Sequence, residues 1–298
     1  MQRSGPRHVL AVDIGGTKVA VGVVSRDGEI LARGQAPTAA AATGEELFGT
    51  VVELASDAMS AVDEAPTICG VGTGGPAREM HRLISPLNIA VWRDFPLGER
   101  LSRELGLPTH VENDAKALAL GEGWLGGARG ETDYIAMVVS TGVGGGIVLE
   151  GRLLHGADGN AGHVGHVFVE PDGRADASGA RGNLEGQASG TAIRAVTGAD
   201  PATAPVEVRR HVGELVGRGI ASVANLLDLR LALVSGSVAL GYGDDFFDAA
   251  QRTVDQLCRL DHSRGTVVRP GELGADGPLI GAAAVALRAA GMKILPAD

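Results

Sequence analysis

Short apolar runs broken by glycine-rich turns recur along this chain, and their period changes from two to that of a helix and back. Val9 to Asp13, Lys18 to Val24 and Glu29 to Gly34 predict three consecutive strands, joined by Gly15-Gly16 and by Arg26-Asp27-Gly28, a hairpin-type Asp-Gly turn. Helical spacing follows in Leu47, Phe48, Val51, Val52, Ala55, Met59 and Val62, with Thr43 and Glu46 placed as a capping box. Thr67 to Gly72 predicts a strand ending in glycines, Leu97 to Leu105 a helix, Thr109 to Glu112 a strand, and Asp114 to Glu122 the start of another helix.

The second half repeats the plan. Tyr134 to Val139 and Ile147 to Leu149 flank the glycine turn Ser140 to Gly146, and a hairpin follows around Glu150-Gly151-Arg152. The repetition implies duplication of one α/β unit. His155 to Ala188 is too rich in Gly, Asp and Ala for regular structure, and structured loops of that length usually carry function. Leu215, Val216, Ile220, Val223 and Leu227 then predict a helix over Val206 to Asp228, before a strand from Leu231 to Val234 ending in Ser235-Gly236-Ser237. Phe246 to Cys258 and Pro278 to Ala290 close the chain as helices.

Composition sharpens this picture. A length of 298 residues favours two domains, and 44% apolar with only 3% aromatic residues means cores of Val, Leu, Ile and Ala, suited to parallel strands under helices. The net charge of −10 argues against a nucleic-acid partner, and Arg209-Arg210-His211 is short enough to be a solvated helix end. No apolar run approaches the roughly 20 residues of a membrane span, and Met1 to Pro6 lacks the apolar core of a signal peptide. A cytoplasmic protein without a membrane partner is expected. Cys69 and Cys258 form no paired motif and read as two buried free thiols.

Asp13-Ile14-Gly15-Gly16-Thr17-Lys18 and Ser140-Thr141-Gly142-Val143-Gly144-Gly145-Gly146 each sit between strands, where glycines at positive φ let backbone N–H groups approach an anion. Two such phosphate grips, one per half, suggest a nucleotide held in a cleft between two domains. Gly70-x-Gly72-x-x-Gly75, with Asp94 beyond it, matches a dinucleotide fingerprint, but Pro76 to Met80 leads into the apolar pair Leu83-Ile84 instead of a helix. The pattern GxxxxGK[ST] is absent. Asn113-Asp114 lies between a strand and a helix, where an ordinary N-cap explains a lone Asp. Beside two phosphate loops the same Asp suits phosphoryl transfer, in which a carboxylate orients the accepting hydroxyl and takes its proton late.

Together these segments resemble the ROK family (repressors, open reading frames and kinases), on the actin/hexokinase-like, ribonuclease H-like α/β fold with a cleft between two domains. The resemblance covers nearly the whole chain and adds Ser85-Pro86-Leu87-Asn88, Glu112 to Ala115, Ala161-Gly162-His163-Val164-Gly165-His166, Leu184-Glu185, Ser235 to Val238 and Leu279 to Ala282. It implies domains over 1–117 and 118–298, with the last helix able to pack back on the first. It also implies Asp114 as base, and Gly75, Asn88, Asn113, His163, His166 and Glu185 at a sugar. Asp13 is implied to help hold hydrated Mg²⁺, with Gly15, Gly16, Thr17, Lys18, Thr141, Gly142 and Gly144 at the phosphates of ATP and Gly236 near its adenosine. A homodimer is expected on the same ground. Family repressors carry a DNA-binding domain before the first phosphate loop, and the residues preceding Asp13 are too few for one.

Two departures from the family pattern bear on chemistry. Most of these kinases hold zinc with one His and a CxCGxxGC run; here the stretch reads Asp176-Ala177-Ser178-Gly179-Ala180-Arg181-Gly182-Asn183. Without thiolates no structural zinc is expected, and His166 keeps a sugar-facing role or is a core histidine. His163 stands where glucose kinases of the family have a Glu, as in N-acetylmannosamine kinases. The expected activity is therefore phosphorylation of a sugar 6-hydroxyl by ATP, with polyphosphate the other candidate donor. N-acetylmannosamine ranks ahead of glucose, and a non-enzymatic sugar-binding regulator is the alternative from another class.

Overall fold

The structure, a computed structural model, describes residues 5–298. The chain forms two compact units, one of residues up to Gly130 with 151–161 and 273–298, the other of 131–150 and 162–272.

The first unit opens with β1 (His8–Ile14), β2 (Lys18–Ser25) and β3 (Ile30–Pro37), an antiparallel meander. Helix α1 (Gly44–Ser60) starts at the capping box: Thr43 Oγ1 accepts from the Glu46 N–H at 3.2 Å, and Glu46 Oε2 from the Thr43 N–H at 3.3 Å. It buries Leu47, Phe48, Val51 and Ala55 against the sheet, while Val62 lies past its end. β4 (Cys69–Thr73) pairs parallel with β1, and the hairpin of β5 (Ala77–Arg78) and β6 (Leu83–Ile84) follows. Helix α2 (Leu97–Leu105) stops at Gly106, whose φ of 68° is left-handed, and β7 (Thr109–Asn113) pairs parallel with β4. The sheet order is β3-β2-β1-β4-β7, and α3 (Asp114–Leu125) leaves its edge strand directly.

In the second unit β8 (Tyr134–Val139) and β9 (Val143–Leu149) are antiparallel, and Glu150-Gly151 then turns the chain with both φ values positive. The chain returns to the first unit over 151–161, which contain β10 (Arg152–Leu153). Helices α4 (Leu184–Ala188), α5 (Gly190–Thr197) and α6 (Val206–Leu227) precede β11 (Leu231–Ser235), which lies parallel to β8. α7 (Ser237–Tyr242), α8 (Asp244–Leu257) and β12 (Val267–Pro270) complete the unit. The strand order β9-β8-β11-β12 repeats β2-β1-β4-β7 with the same directions, the duplication expected from the glycine turns. α6 and α8 cross closely because Gly213 and Gly217 have no side chain: a Cβ there would stand 2.3 Å from the Phe246 carbonyl oxygen and 2.7 Å from that of Ala250.

The last helix, α9 (Gly277–Ala289), belongs to the first unit and packs on α3, β1 and β4. The boundary between units is therefore not after residue 117, because α3 is one continuous helix through that point, held on α9. The glycine loops also differ from expectation. Neither Gly15-Gly16 nor Gly142 to Gly146 adopts positive φ, and β9 begins at Val143, so the second turn is only Ser140-Thr141-Gly142. Glycine is needed there for close approach. A Cβ on Gly16 would lie 2.6 Å from the Asn88 Cβ, and one on Gly145 would lie 2.8 Å from Val164 Cγ1. Within the stretch read as irregular, Val164–His166 forms a 3₁₀ turn and α4 a short helix. Arg209 and Arg210, expected as a solvated end, both face Asp245, at 4.0 and 3.3 Å. Among the described residues no helix is long and apolar enough to cross a membrane, and Cys69 and Cys258 are free and buried.

Candidate functional site

In the first unit the parallel strands β1, β4 and β7 bring Asp13, Thr73 and Asn113 to one edge of the sheet, the carboxyl ends where ligands bind in open α/β sheets. Asp13 stands opposite Gly72 in the register. A Cβ on Gly72 would lie 3.5 Å from Asp13 Oδ1 and 3.6 Å from the Asp114 Cα, so the missing side chain leaves space between the two acids. Burial, then the negative charge of Asp114, push the Asp13 carboxyl up to about 7 against the pull of Lys18. Asn113 Oδ1 accepts from the N–H groups of Ala115 and Lys116, capping α3, and Asp114 Oδ1 accepts from the Ala115 N–H at 2.8 Å. The N-cap is thus Asn113, which leaves Asp114 in the first turn of α3.

The first glycine loop is tied down on its carbonyl side. Thr38 donates its Oγ1 hydrogen to the Gly15 oxygen at 2.7 Å and its N–H to the Thr17 oxygen at 3.0 Å. Thr17 and Lys18 are exposed, Lys18 opening β2. Asn88 is exposed and packs against Gly16, and the Gly75 oxygen accepts from the Leu87 N–H at 3.0 Å, which holds the Pro86 to Asn88 turn beside the Gly75-Pro76 bend. Gly70 and Gly72 lie inside β4 and a hairpin follows, so the dinucleotide fingerprint has no helix to serve it. Thr73 Oγ1, buried at the same edge, has no hydrogen-bond partner.

Behind Asp114 lies a buried charged cluster that sequence reasoning missed. Lys116 Nζ meets Glu112 Oε1 at 3.0 Å and donates to the Gly159 oxygen at 2.8 Å, while His81 Nε2 is 3.2 Å from the same Glu112 oxygen. His155 Nδ1 lies 3.6 Å from Glu112 Oε2, and its imidazole is held low in pKa by burial, then by Lys116. The residue two before Asp114 and the residue two after it are therefore tied by one ion pair. The i, i+4 spacing of Glu112 and Lys116 was visible, but on a surface helix that spacing describes a solvated pair.

In the second unit the turn Ser140-Thr141-Gly142 meets the starts of α5 and α7. Ser140 O accepts from the Gly190 N–H at 2.7 Å, Thr141 O from Thr191 Oγ1 at 2.9 Å, and the Ser140 and Ser237 hydroxyls are 3.0 Å apart. Gly236, at φ 100°, lies so close to β8 that a Cβ would come within 2.3 Å of the Val139 oxygen. Gly144 is not in the turn but opposite Val138 in β9. On the other side of Val143, Glu185 Oε2 accepts the Val143 N–H at 2.8 Å, and Gly165 lies against Glu185 and the Val143 oxygen. The rings of His163 and His166 are near parallel, with centroids 6.3 Å apart. The structure thus gathers His163, His166 and Glu185 beside the second glycine turn.

The loop where the family holds zinc is ordered differently. Asp176 Oδ1 accepts from the N–H of Ser178 (2.9 Å), its hydroxyl (2.6 Å) and the Ala180 N–H (3.1 Å). Asp176 Oδ2 accepts from Asn183 Nδ2 at 2.6 Å and lies 3.2 Å from His166 Nδ1, and Asn183 Nδ2 is 3.0 Å from that same nitrogen. Burial raises the Asp176 carboxyl, but the hydrogen bonds from Ser178 and Asn183 outweigh it and hold the group below its usual range. Zinc does not fit here: the Asn183 amide nitrogen and an Asp176 oxygen already stand at His166 Nδ1, and no thiolate is present in the loop.

The two sheets of matching order are those of the actin/hexokinase-like fold, and residues 9–289 match the ROK family. The chain belongs to that family. It is 39% identical over 188 residues to a glucokinase of Thermotoga maritima, covering 62% of this chain and 58% of that one. It is 34% identical over 251 residues to an N-acetylmannosamine kinase of Escherichia fergusonii, covering 78% and 84%. The ROK family glucokinase from Streptomyces griseus, solved with glucose and AMPPNP, superposes with a TM-score of 0.83 at 28% identity, covering 94% and 99%.

Proposed function

We propose that this ROK protein is an ATP-dependent sugar kinase that transfers the γ-phosphoryl group to a 6-hydroxyl, with N-acetylmannosamine ahead of glucose as acceptor. The observation that carries the reading is the pair Asp13 and Asp114 at the carboxyl ends of β1 and β7, both next to Gly72, which has no side chain to crowd them. Asp114 is set at the start of α3, fixed on one side by the cap at Asn113 and behind by the Glu112–Lys116 pair. Its carboxylate orients the sugar hydroxyl and accepts its proton as the phosphoryl group arrives, a reaction in which positioning does most of the work. Asp13 fits a hydrated Mg²⁺: a hard oxygen donor, with a pKa raised first by burial and then by a second carboxylate, is relieved by a divalent cation. Bound there with ATP, Mg²⁺ would neutralise charge on the phosphate oxygens. The Ser140 to Gly142 turn with Gly236 is assigned to ATP, and Asn88, Asn113, His163, His166 and Glu185 to the sugar.

His163 supports the amino sugar. An imidazole offers one donor and one acceptor where a carboxylate only accepts, so the hydroxyl pattern it reads differs from that of glucose kinases. Release of ADP is measured with ATP, Mg²⁺ and, separately, N-acetylmannosamine, glucose, mannose and N-acetylglucosamine. Preference for N-acetylmannosamine is expected, and preference for glucose would remove His163 as the determinant. Asp114→Asn should lose turnover by at least about a hundredfold while still binding sugar in calorimetry. Turnover that survives the substitution assigns the base elsewhere, and no turnover on any sugar by the unaltered protein favours the non-enzymatic regulator.

A further inference from the structure

The side chain of Asn183 is fully buried and has three partners. Its Oδ1 accepts the Gly186 N–H at 2.9 Å, which settles the orientation of the amide and caps α4, the helix that carries Glu185. Its Nδ2 therefore carries the hydrogens, one to Asp176 Oδ2 at 2.6 Å and the other toward His166 Nδ1 at 3.0 Å. An amide N–H directed at a ring nitrogen requires a lone pair on that nitrogen. His166 Nδ1 must then be unprotonated in the neutral ring, and the ring proton sits on Nε2. Asp176 alone would ask for the opposite tautomer, since a carboxylate accepts only; its Oδ2, 3.2 Å from Nδ1, stands farther off than the amide nitrogen at 3.0 Å and itself receives an amide hydrogen.

We propose that Asn183, anchored by Asp176, is a positioning residue that fixes His166 as an Nε2–H donor toward an acceptor oxygen of the sugar, doing through one amide what a metal on Nδ1 would do. The sugar part of this proposal rests on the kinase reading above; the tautomer does not. The same amide sets Glu185 through the α4 cap, so one buried side chain aligns both a donor and an acceptor for the sugar.

The test exchanges the two partners. The double variant Asp176→Asn with Asn183→Asp keeps the charge, the carboxylate–amide bond and the oxygen that caps α4, but puts the carboxylate at the nearer place, 3.0 Å from His166 Nδ1, and the amide at the farther one, 3.2 Å. Long-range ¹H–¹⁵N spectra of ¹⁵N-histidine protein at pH 8, assigned with His166→Gln, report the tautomer without any turnover. The unaltered protein is expected to show Nε2–H, and the exchanged protein Nδ1–H with a KM for sugar raised tenfold or more and a KM for ATP changed less than twofold. One equivalent of Zn²⁺ should leave the His166 signals of the unaltered protein in place. Nδ1–H in the unaltered protein, a tautomer indifferent to the exchange, a zinc-induced shift, or an inverted tautomer with unchanged sugar KM would each overturn the proposal. Should the exchanged protein fail to fold, the tautomer and the zinc response of the unaltered protein still decide. Absence of kinase activity on every sugar defeats the function proposed above and leaves the tautomer to be judged on its spectrum.

Discussion

At the scale of single residues, Asp13 shows the cost of a prepared site. Its ordinary value is 3.8 and its value in the folded chain is about 7, raised by burial and by Asp114. The folded state thus holds this proton more tightly than the unfolded one, so the contribution of Asp13 to stability is best below about pH 4, declines as pH rises toward 7, and is flat above. Asp13→Asn removes the buried charge. It should stabilise the protein at pH 8 by about 1–3 kcal/mol, allowing for relaxation around the site, and change little at pH 4. Denaturant unfolding at the two pH values measures this, and equal effects at both would mean that Asp13 is ionised throughout. Asp114→Asn should in turn lower the Asp13 pKa, because burial is then left as the raising cause while Lys18 still lowers it. Both acids were legible from the sequence as members of motifs. What could not be read was the effect of Asp114 on Asp13, two residues that both approach Gly72, where β4 has no side chain.

Among elements, β7 and α3 form a junction whose chemistry is set from behind. Lys116 is fully buried in α3, and its partners Glu112 and Gly159 come from a strand and from the 151–161 segment. Lys116→Met keeps the volume but leaves Glu112 to His81, His155 and one backbone N–H. The expected loss is about 3 kcal/mol of stability, typical for a buried pair deprived of one member. The His155 pKa should rise as well, since Lys116 depresses it and Glu112 raises it. A loss under about 1 kcal/mol, with His155 unmoved, would show that the lysine is not compensating the glutamate. Element by element, the readable parts were those fixed locally: the Thr43 box starting α1, the Leu97–Leu105 helix, and the Tyr134–Val139 strand. β12, α5 and α7 escaped notice because they are short and owe their form to neighbours, Val267–Pro270 being a strand through its pairing with β11. The glycine loops were found but for an incomplete reason. Their glycines make room for Asn88 and Val164, and no local pattern reveals what will come close.

For the whole molecule, the arrangement of units along the chain makes the first unit depend on its last segment. Residues 273–298 return to it, and α9 lies across β4 at Gly70, where a Cβ would stand 2.0 Å from the Ala282 oxygen and 2.8 Å from the Ala286 nitrogen. Backbone atoms cannot turn aside as a flexible side chain can. Gly70→Ala must therefore lift α9 or bend β4, and overpacking of this kind costs about 1–3 kcal/mol or more. The damage has a location. Hydrogen exchange should quicken for the amides of β1, β4 and α9, whose protection reflects opening of the first core, while β8, β11 and α6, which pack in the second, retain theirs. Gly217→Ala is the reciprocal probe, since its Cβ would meet the Ala250 oxygen at 2.7 Å inside the second core. If either substitution accelerated exchange equally in both sets of strands, the two cores would open as one cooperative unit, and the duplicated sheets would be partners in stability as well as in topology.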